Sequence, residues 1–318
     1  MCAPHAGAPV VLVVGAASRD VVADDPRGWR LGGAVMYTSL ALARLGFRVR
    51  ALVGADEEAA ASRELAALAA MEGLALAVAP LPAGPVFDNV AHLLHAESDR
   101  IPLTALPRAW TSGNDGLLVV PVADEVGDEW AAIAGPEHAP KVATPSTGEP
   151  APRGPAPLVG VGWQGMLRVL RAGELVRPAP PRPSPLLRRA DVVVASVDDI
   201  LPGVSDEALL ELLGPTTTLV RTDGANGGDL FEPNGHGGRA APRRYPAIPT
   251  DGIVDPTGAG DVFLASMLAA RLSPSLGAPE TVAAAAASLA VEGLGLDGVP
   301  DLAAVRRRMT RAPRRASR

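Results

Sequence analysis

Apolar and polar positions follow two alternating periods along the chain. Short apolar runs at 10–16, 49–54, 117–123, 157–162, 191–196 and 218–222 read as strands, several continuous enough to be buried on both faces. Between them, helical spacing predicts a helix over 34–45 closed by Gly46, one over 57–72 closed by Gly73, and one over 205–213 started by Ser205. Strands that alternate with helices in this way predict an α/β fold with a mainly parallel sheet covered on both faces. Ligands in such sheets sit beyond the carboxyl ends of the strands.

Two stretches break the alternation. Residues 20–31 form a polar excursion before Gly32 and Gly33, and 84–104 reads as a strand pair around a polar turn at 96–100. Together, about 18–31 and 84–104 are expected to make a small lid over the strand ends. His92 and His95 lie in the second stretch; on a strand they point to opposite faces, which disfavours a shared metal. The proline-rich segments 136–157 and 178–185 read as surface loops. A single domain over 8–305 is expected, with 306–318 as a basic, disordered tail.

Composition narrows the function classes. The 318 residues are 47% hydrophobic but only 3% aromatic, so Ala, Val and Leu must fill the core of an ordinary globular protein. A net charge of -6 gives no overall attraction for nucleic acid or an anionic membrane. Cys2 is the only cysteine, which excludes an intrachain disulfide and a cysteine metal cluster. With no signal-like leader and no span-length apolar run in the sequence, a cytoplasmic location is the expectation.

The chemistry gathers in "VDPTGAGDVF", 254–263. Gly258 and Gly260 permit a turn that side chains would obstruct, and Phe263, Met267 and Ala270 follow at helical spacing. A helix N-terminus offers unpaired amides and the positive end of the macrodipole, an anion cradle. Two readings of the flanking carboxylates stay open: Asp255 caps the helix and Asp261 complements its dipole, or Asp261 is a general base beside a bound phosphoryl group.

This stretch resembles the C-terminal signature of the ribokinase-like PfkB carbohydrate kinase family. "LGGAVMYTSLALARLGFRVRALVGAD", 31–56, is similar to that family's N-terminal Gly-Gly signature, and "LVRTDGANGGDLF", 219–231, to its nucleotide-side strand and glycine turn. The resemblance implies a Rossmann-like three-layer ribokinase-type fold with a β lid, and transfer of the γ-phosphoryl group of ATP, with Mg2+, to an alcohol on a sugar, nucleoside or polyol. It implies Asp261 as base and the amides of Gly258, Ala259 and Gly260 as anion hole. Thr222, Gly224, Gly227 and Thr257 fall on the nucleotide side, and Asp20, Gly32 and Gly33 on the acceptor side. The family's lid-to-lid dimers make a homodimer a candidate assembly. There is no G-x-x-x-x-G-K-[ST] P-loop and no G-x-G-x-x-G after the first strand.

Three positions depart from the family pattern. Tyr37 stands near an expected asparagine, which disfavours ribose itself, because a phenol cannot offer an amide's paired donor and acceptor. Ser196 and Asp199 replace Asn-x-x-Glu; Asp199 is a candidate holder of a metal-bound water, and the alternative is that the pair starts the next helix. Gln164 and Arg168 stand where a polar strand end carries Asn and Arg, with Arg168 a candidate phosphate or carboxylate contact or a solvated surface residue. These departures keep a second reading open, a catalytically weak nucleotide- or sugar-binding regulatory protein.

Overall fold

A computed structural model describes residues 7–135, 156–235 and 238–311. The chain runs β1 (Val10–Ala16), β2 (Ser18–Val21), β3 (Trp29–Gly32), α1 (Ala34–Arg44), β4 (Arg48–Ala55), α2 (Glu57–Ala60), α3 (Arg63–Ala69) and β5 (Leu74–Pro80). It continues through β6 (Val86–Asp88), β7 (Leu93–Ala96), β8 (Gly116–Val119), α4 (Ala131–Ala134), β9 (Leu158–Gly162), β10 (Arg168–Val169), β11 (Arg177–Pro178) and α5 (Pro185–Arg189). Next come β12 (Val192–Ser196), α6 (Asp206–Glu211), β13 (Thr218–Thr222), β14 (Gly228–Phe231) and β15 (Arg243–Tyr245). Last are α7 (Ala259–Leu272), α8 (Pro279–Ala290) and α9 (Leu302–Met309).

The main sheet has the order β15-β14-β13-β12-β9-β8-β1-β4-β5. It is parallel from β5 to β13, and β14 and β15 add antiparallel. The reason β1 reads as an unbroken apolar run is visible in its packing: Val11 and Val13 join one core, Leu12 and Val14 the other. One layer holds α1, α7 and α8, and the opposite layer α5 and α6. Helix α7 is buried all round from Val262 to Ala270, and its alanines let the Ala-rich α8 pack beside it. Few aromatics are needed where small side chains bring helices this close. Among the described residues no helix is long and apolar enough to cross a membrane.

A second sheet, β3-β2-β6-β7, stands apart from the first and is built from the two stretches that broke the alternation. Arg19 fastens it to Asp56 and Glu58, and Arg27, stacked over Trp29 with its guanidinium 4.4 Å from the ring centre, to Glu64. Its outer strand β7 is covered by 172–176: Gly173 N donates to Leu94 O (2.8 Å), Leu94 N to Glu174 O (3.1 Å) and Val176 N to His92 O (2.8 Å). That strap belongs to the β10–β11 hairpin and leaves β3 as the open edge of the small sheet.

Several sequence expectations shift. The turn lies at 89–92, not 96–100, because Asp88 Oδ1 accepts from the Val90 and Ala91 amides and closes the tip there. His92 therefore sits in that turn with φ 53°, outside the strand that holds His95. The helix expected over 57–72 is two, because Ser62 accepts from Leu65 N and caps a second start. The boundary placed at 305 falls inside α9, where Arg308 is buried against Glu292. Most of the loop expected at 136–157, and 312–318 of the tail, lie outside the described residues.

Candidate functional site

Strands β2 and β3, helix α1, the turn after β9, the ends of β12 and β13 and the start of α7 deliver the candidate residues. Helix α7 is preceded by Gly258 at its N-cap, whose φ of 78° is left-handed and whose missing Cβ leaves room for the Tyr37 ring, which such an atom would approach to 2.3 Å. Gly260 faces open space, and neither it nor Gly258 has an amide hydrogen bond among the described residues. The Ala259 amide instead turns to Pro256 O at 3.3 Å, so the cradle is two free amides and one weakly engaged. Asp255 does not cap the helix. Its oxygens accept from Thr257 N (2.9 Å) and Gly295 N (3.0 Å), which ties the turn to the loop after α8.

Asp261 stands in the first turn of α7, partly buried, with no hydrogen bond among the described residues. Burial pushes its carboxyl up to about 7; Arg168 opposes the shift, and the neighbouring Asp199 and Asp20 carboxylates add to it. Asp20 is pushed up to about 6, chiefly by burial, against the hydrogen bonds it receives from Ser18 Oγ (2.9 Å) and Asn89. Tyr37 is 3% exposed, and burial together with Asp20, Asp255 and Asp261 holds its phenol strongly protonated. The structure therefore gathers Asp20, Tyr37, Asp255 and Asp261 around one point.

Gly32 is required by the Asp20 side chain and Gly33 by backbone packing. A Cβ on Gly32 would lie 2.2 Å from Asp20 Oδ2, and one on Gly33, where φ is 97°, 2.5 Å from Ala16 O. On the acceptor-side role that the family resemblance implies for Asp20, Gly32→Ala should displace its carboxylate and raise KM about tenfold with a smaller change in kcat. An unchanged KM would detach Asp20 from the acceptor.

On the other side, Arg168 gives Nε (3.2 Å) and a terminal nitrogen (2.9 Å) to one oxygen of Asp199, so it is not a solvated surface residue. Ser196 and Asp199 do not start a helix: the chain turns after β12, and α6 waits for Asp206, capped by Ser205. Thr222 pairs with Ser196 across the ends of β13 and β12. Gly224 meets open space, whereas a Cβ on Gly227 would sit 2.1 Å from Tyr245 O, so that glycine serves strand packing. Gln164 opens a 3-10 turn, Gln164–Leu167, before β10.

Asn89, Ser18 and Glu125 were not anticipated. Ser18 and Asp20 are two apart on one strand and so share a face, a signal that the sequence did contain. Glu125 is fully buried and accepts from the amides of Ala16, Val122 and Ala123, where β1 and β8 diverge.

A magnesium ion carried with a nucleotide fits the donor set in a limited way. No group of three His, Cys, Asp or Glu among the described residues is arranged to hold a metal, but Asp199 keeps one oxygen outside its pair with Arg168. Mg2+ keeps several waters and needs few protein carboxylates when phosphates supply the rest.

Residues 184–301 match the sequence model described as pfkB family carbohydrate kinase. No curated protein matches the chain. Among solved structures, the fold is similar to a pyrophosphate-dependent kinase in the ribokinase family complexed with a pyrophosphate analog and myo-inositol (TM-score 0.65, 17% identity, covering 91% of this chain and 98% of that one). It is also similar to ribokinase from Cryptococcus neoformans var. grubii serotype A in complex with ADP (TM-score 0.62, 18% identity, 95% and 100% coverage). A third likeness is to Arabidopsis thaliana ribokinase complexed with ribose and ATP (TM-score 0.59, 18% identity, 97% and 99% coverage). The chain thus has the ribokinase-type fold, and its residues 184–301 are similar in sequence to the pfkB carbohydrate kinases.

Proposed function

We propose that the protein is a kinase that transfers the γ-phosphoryl group of ATP to a hydroxyl of a sugar, nucleoside or polyol. The observation that carries this reading is the carboxyl of Asp261, pushed up to about 7 beside the free amides of Gly258 and Gly260. A group with that affinity for protons is matched to taking one from an alcohol near neutral pH. Fixed amides at the start of a 14-residue helix supply preorganised positive potential for the phosphoryl oxygens. Phosphoryl transfer needs positioning and charge neutralisation above all.

In this reading Asp20 accepts acceptor hydroxyls, held in place by Ser18 and Asn89, and Tyr37 forms the floor beneath acceptor and anion. Thr222 and Gly224 border the donor, with Thr257 at the entry to the amide turn. Mg2+, when bound, neutralises donor phosphate charge, and Asp199 is the residue to hold one of its waters. The small sheet closes over Asp20 and excludes water that would compete for the phosphoryl group.

The experiment is product release from MgATP, and in parallel from pyrophosphate, across nucleosides, pentoses, hexoses, inositols and sugar phosphates. Turnover of one acceptor with ATP supports the reading. Turnover with pyrophosphate alone would replace the donor, and ATP binding with no transfer to any acceptor would favour a binding protein.

A further inference from the structure

The arginines of the small sheet and of the candidate site are already committed. Arg19 pairs with Asp56 at 2.8 Å and with Glu58, Arg27 with Asp25 at 3.0 Å and with Glu64, and Arg30 with Asp24 at 2.6 Å. Arg168 places both engaged nitrogens on one oxygen of Asp199, which is only 7% exposed. The β10–β11 pairing fixes the root of Arg168, and the strap at 172–176 pins the same hairpin to β7. The guanidinium therefore has little freedom to leave its partner.

The carboxylates are distributed in the opposite way. Asp20 takes hydrogen bonds only from the neutral groups of Ser18 and Asn89, and Asp261 takes none among the described residues. An acceptor lying between them meets two carboxylates with no ion-pair partner of their own among the described residues; the cation that acts on Asp261, Arg168, is itself held by Asp199. A phosphate or carboxylate on that acceptor would be opposed by both carboxylates and, among the described residues of the small sheet and the candidate site, attracted by no arginine without a carboxylate partner, and juxtaposed like charges cost affinity.

We propose that Asp199 is a specificity-determining residue: by holding Arg168 it restricts the acceptor to uncharged polyhydroxylic compounds, and acceptors that already carry a phosphate or carboxylate are rejected. The proposal rests on the kinase reading for the identity of the acceptor side. The charge that enters with the donor acts in the same direction, because a triphosphate stays net negative after one Mg2+ is bound and also repels an anionic acceptor.

The test compares myo-inositol and ribose with inositol 1-phosphate and ribose 5-phosphate, by calorimetric binding and by kcat/KM, in the wild type and in Asp199→Asn. The wild type should favour the uncharged partner of each pair by about 100-fold. Asp199→Asn frees the guanidinium and should narrow that preference to about tenfold, the worth of a charge-assisted contact. The double variant Asp199→Asn, Arg168→Gln should restore it, which separates release of Arg168 from simple loosening. Equal or better use of the monophosphates by the wild type overturns the proposal, as does a folded Asp199→Asn protein with the wild-type preference. Binding that discriminates by charge without phosphoryl transfer would refute the kinase reading and leave this inference standing.

Discussion

Asp261→Asn should lower kcat by two to four orders of magnitude, the usual worth of a positioned proton acceptor, while ATP binding changes little. The wild-type pH profile should report the same group. A base must be ionised to work, so kcat/KM should climb about tenfold per pH unit below about 7 and level off above it. Asp20, pushed up to about 6, should steepen the acid limb further if it too acts as a carboxylate. Stability should move the other way. The folded Asp261 carboxyl keeps its proton up to about 7, whereas an unfolded one releases it near 3.8, so the folded state binds more protons between these values. Stability contributed by this group is therefore lost as pH rises through that window. Asp261→Asn should raise the melting temperature at pH 8, and the gain should fade toward pH 4. A variant that loses turnover without any gain at pH 8 would mean that the carboxylate is better solvated than its burial indicates.

The sequence made most of the main sheet legible because β1, β4, β8, β9, β12 and β13 are buried on both faces and read as continuous apolar runs. It was less informative about β5, "LALAVAP": four of its seven residues are alanine or proline, which carry little periodic signal. Local packing around the candidate site was legible at Gly32, Gly33 and Gly258, where a Cβ would meet Asp20 Oδ2, Ala16 O and the Tyr37 ring and so leaves no choice of residue. The site was not legible where side chains meet across distant segments. The pairing of Arg168 with Asp199 spans 31 positions and that of Asp255 with Gly295 spans 40, and neither partner's identity predicts the other. Gly227 shows the converse risk: it matches a ligand-loop pattern, yet its space is filled by Tyr245 O.

Glu125→Ala should be among the most destabilising single substitutions in the chain, although the residue carries no part of the proposed chemistry. Oε1 accepts from Ala16 N at 2.8 Å and Oε2 from Ala123 N at 2.7 Å, with Val122 N shared between them at 3.2 and 3.1 Å. Truncation leaves three buried amides without an acceptor, and at about 1–3 kcal/mol each the loss is roughly 3–9 kcal/mol, less whatever entering water and relief of the buried carboxylate's own desolvation recover. Against a total stability of about 5–15 kcal/mol, a denaturant midpoint should fall by a large fraction of its value. Glu125→Gln should recover part of this, because one oxygen still accepts while the new NH2 group faces an amide N–H. The effect should also reach the site. Ala16 ends β1, its carbonyl lies against Gly33, and Ser18 two residues on holds Asp20. Loosening this junction should therefore lower kcat/KM in whatever fraction still folds, through acceptor binding more than through the proton transfer at Asp261. A Glu125→Ala protein with an unmoved unfolding midpoint would mean that its three amides find other partners, and that the junction of β1 and β8 is held by packing alone.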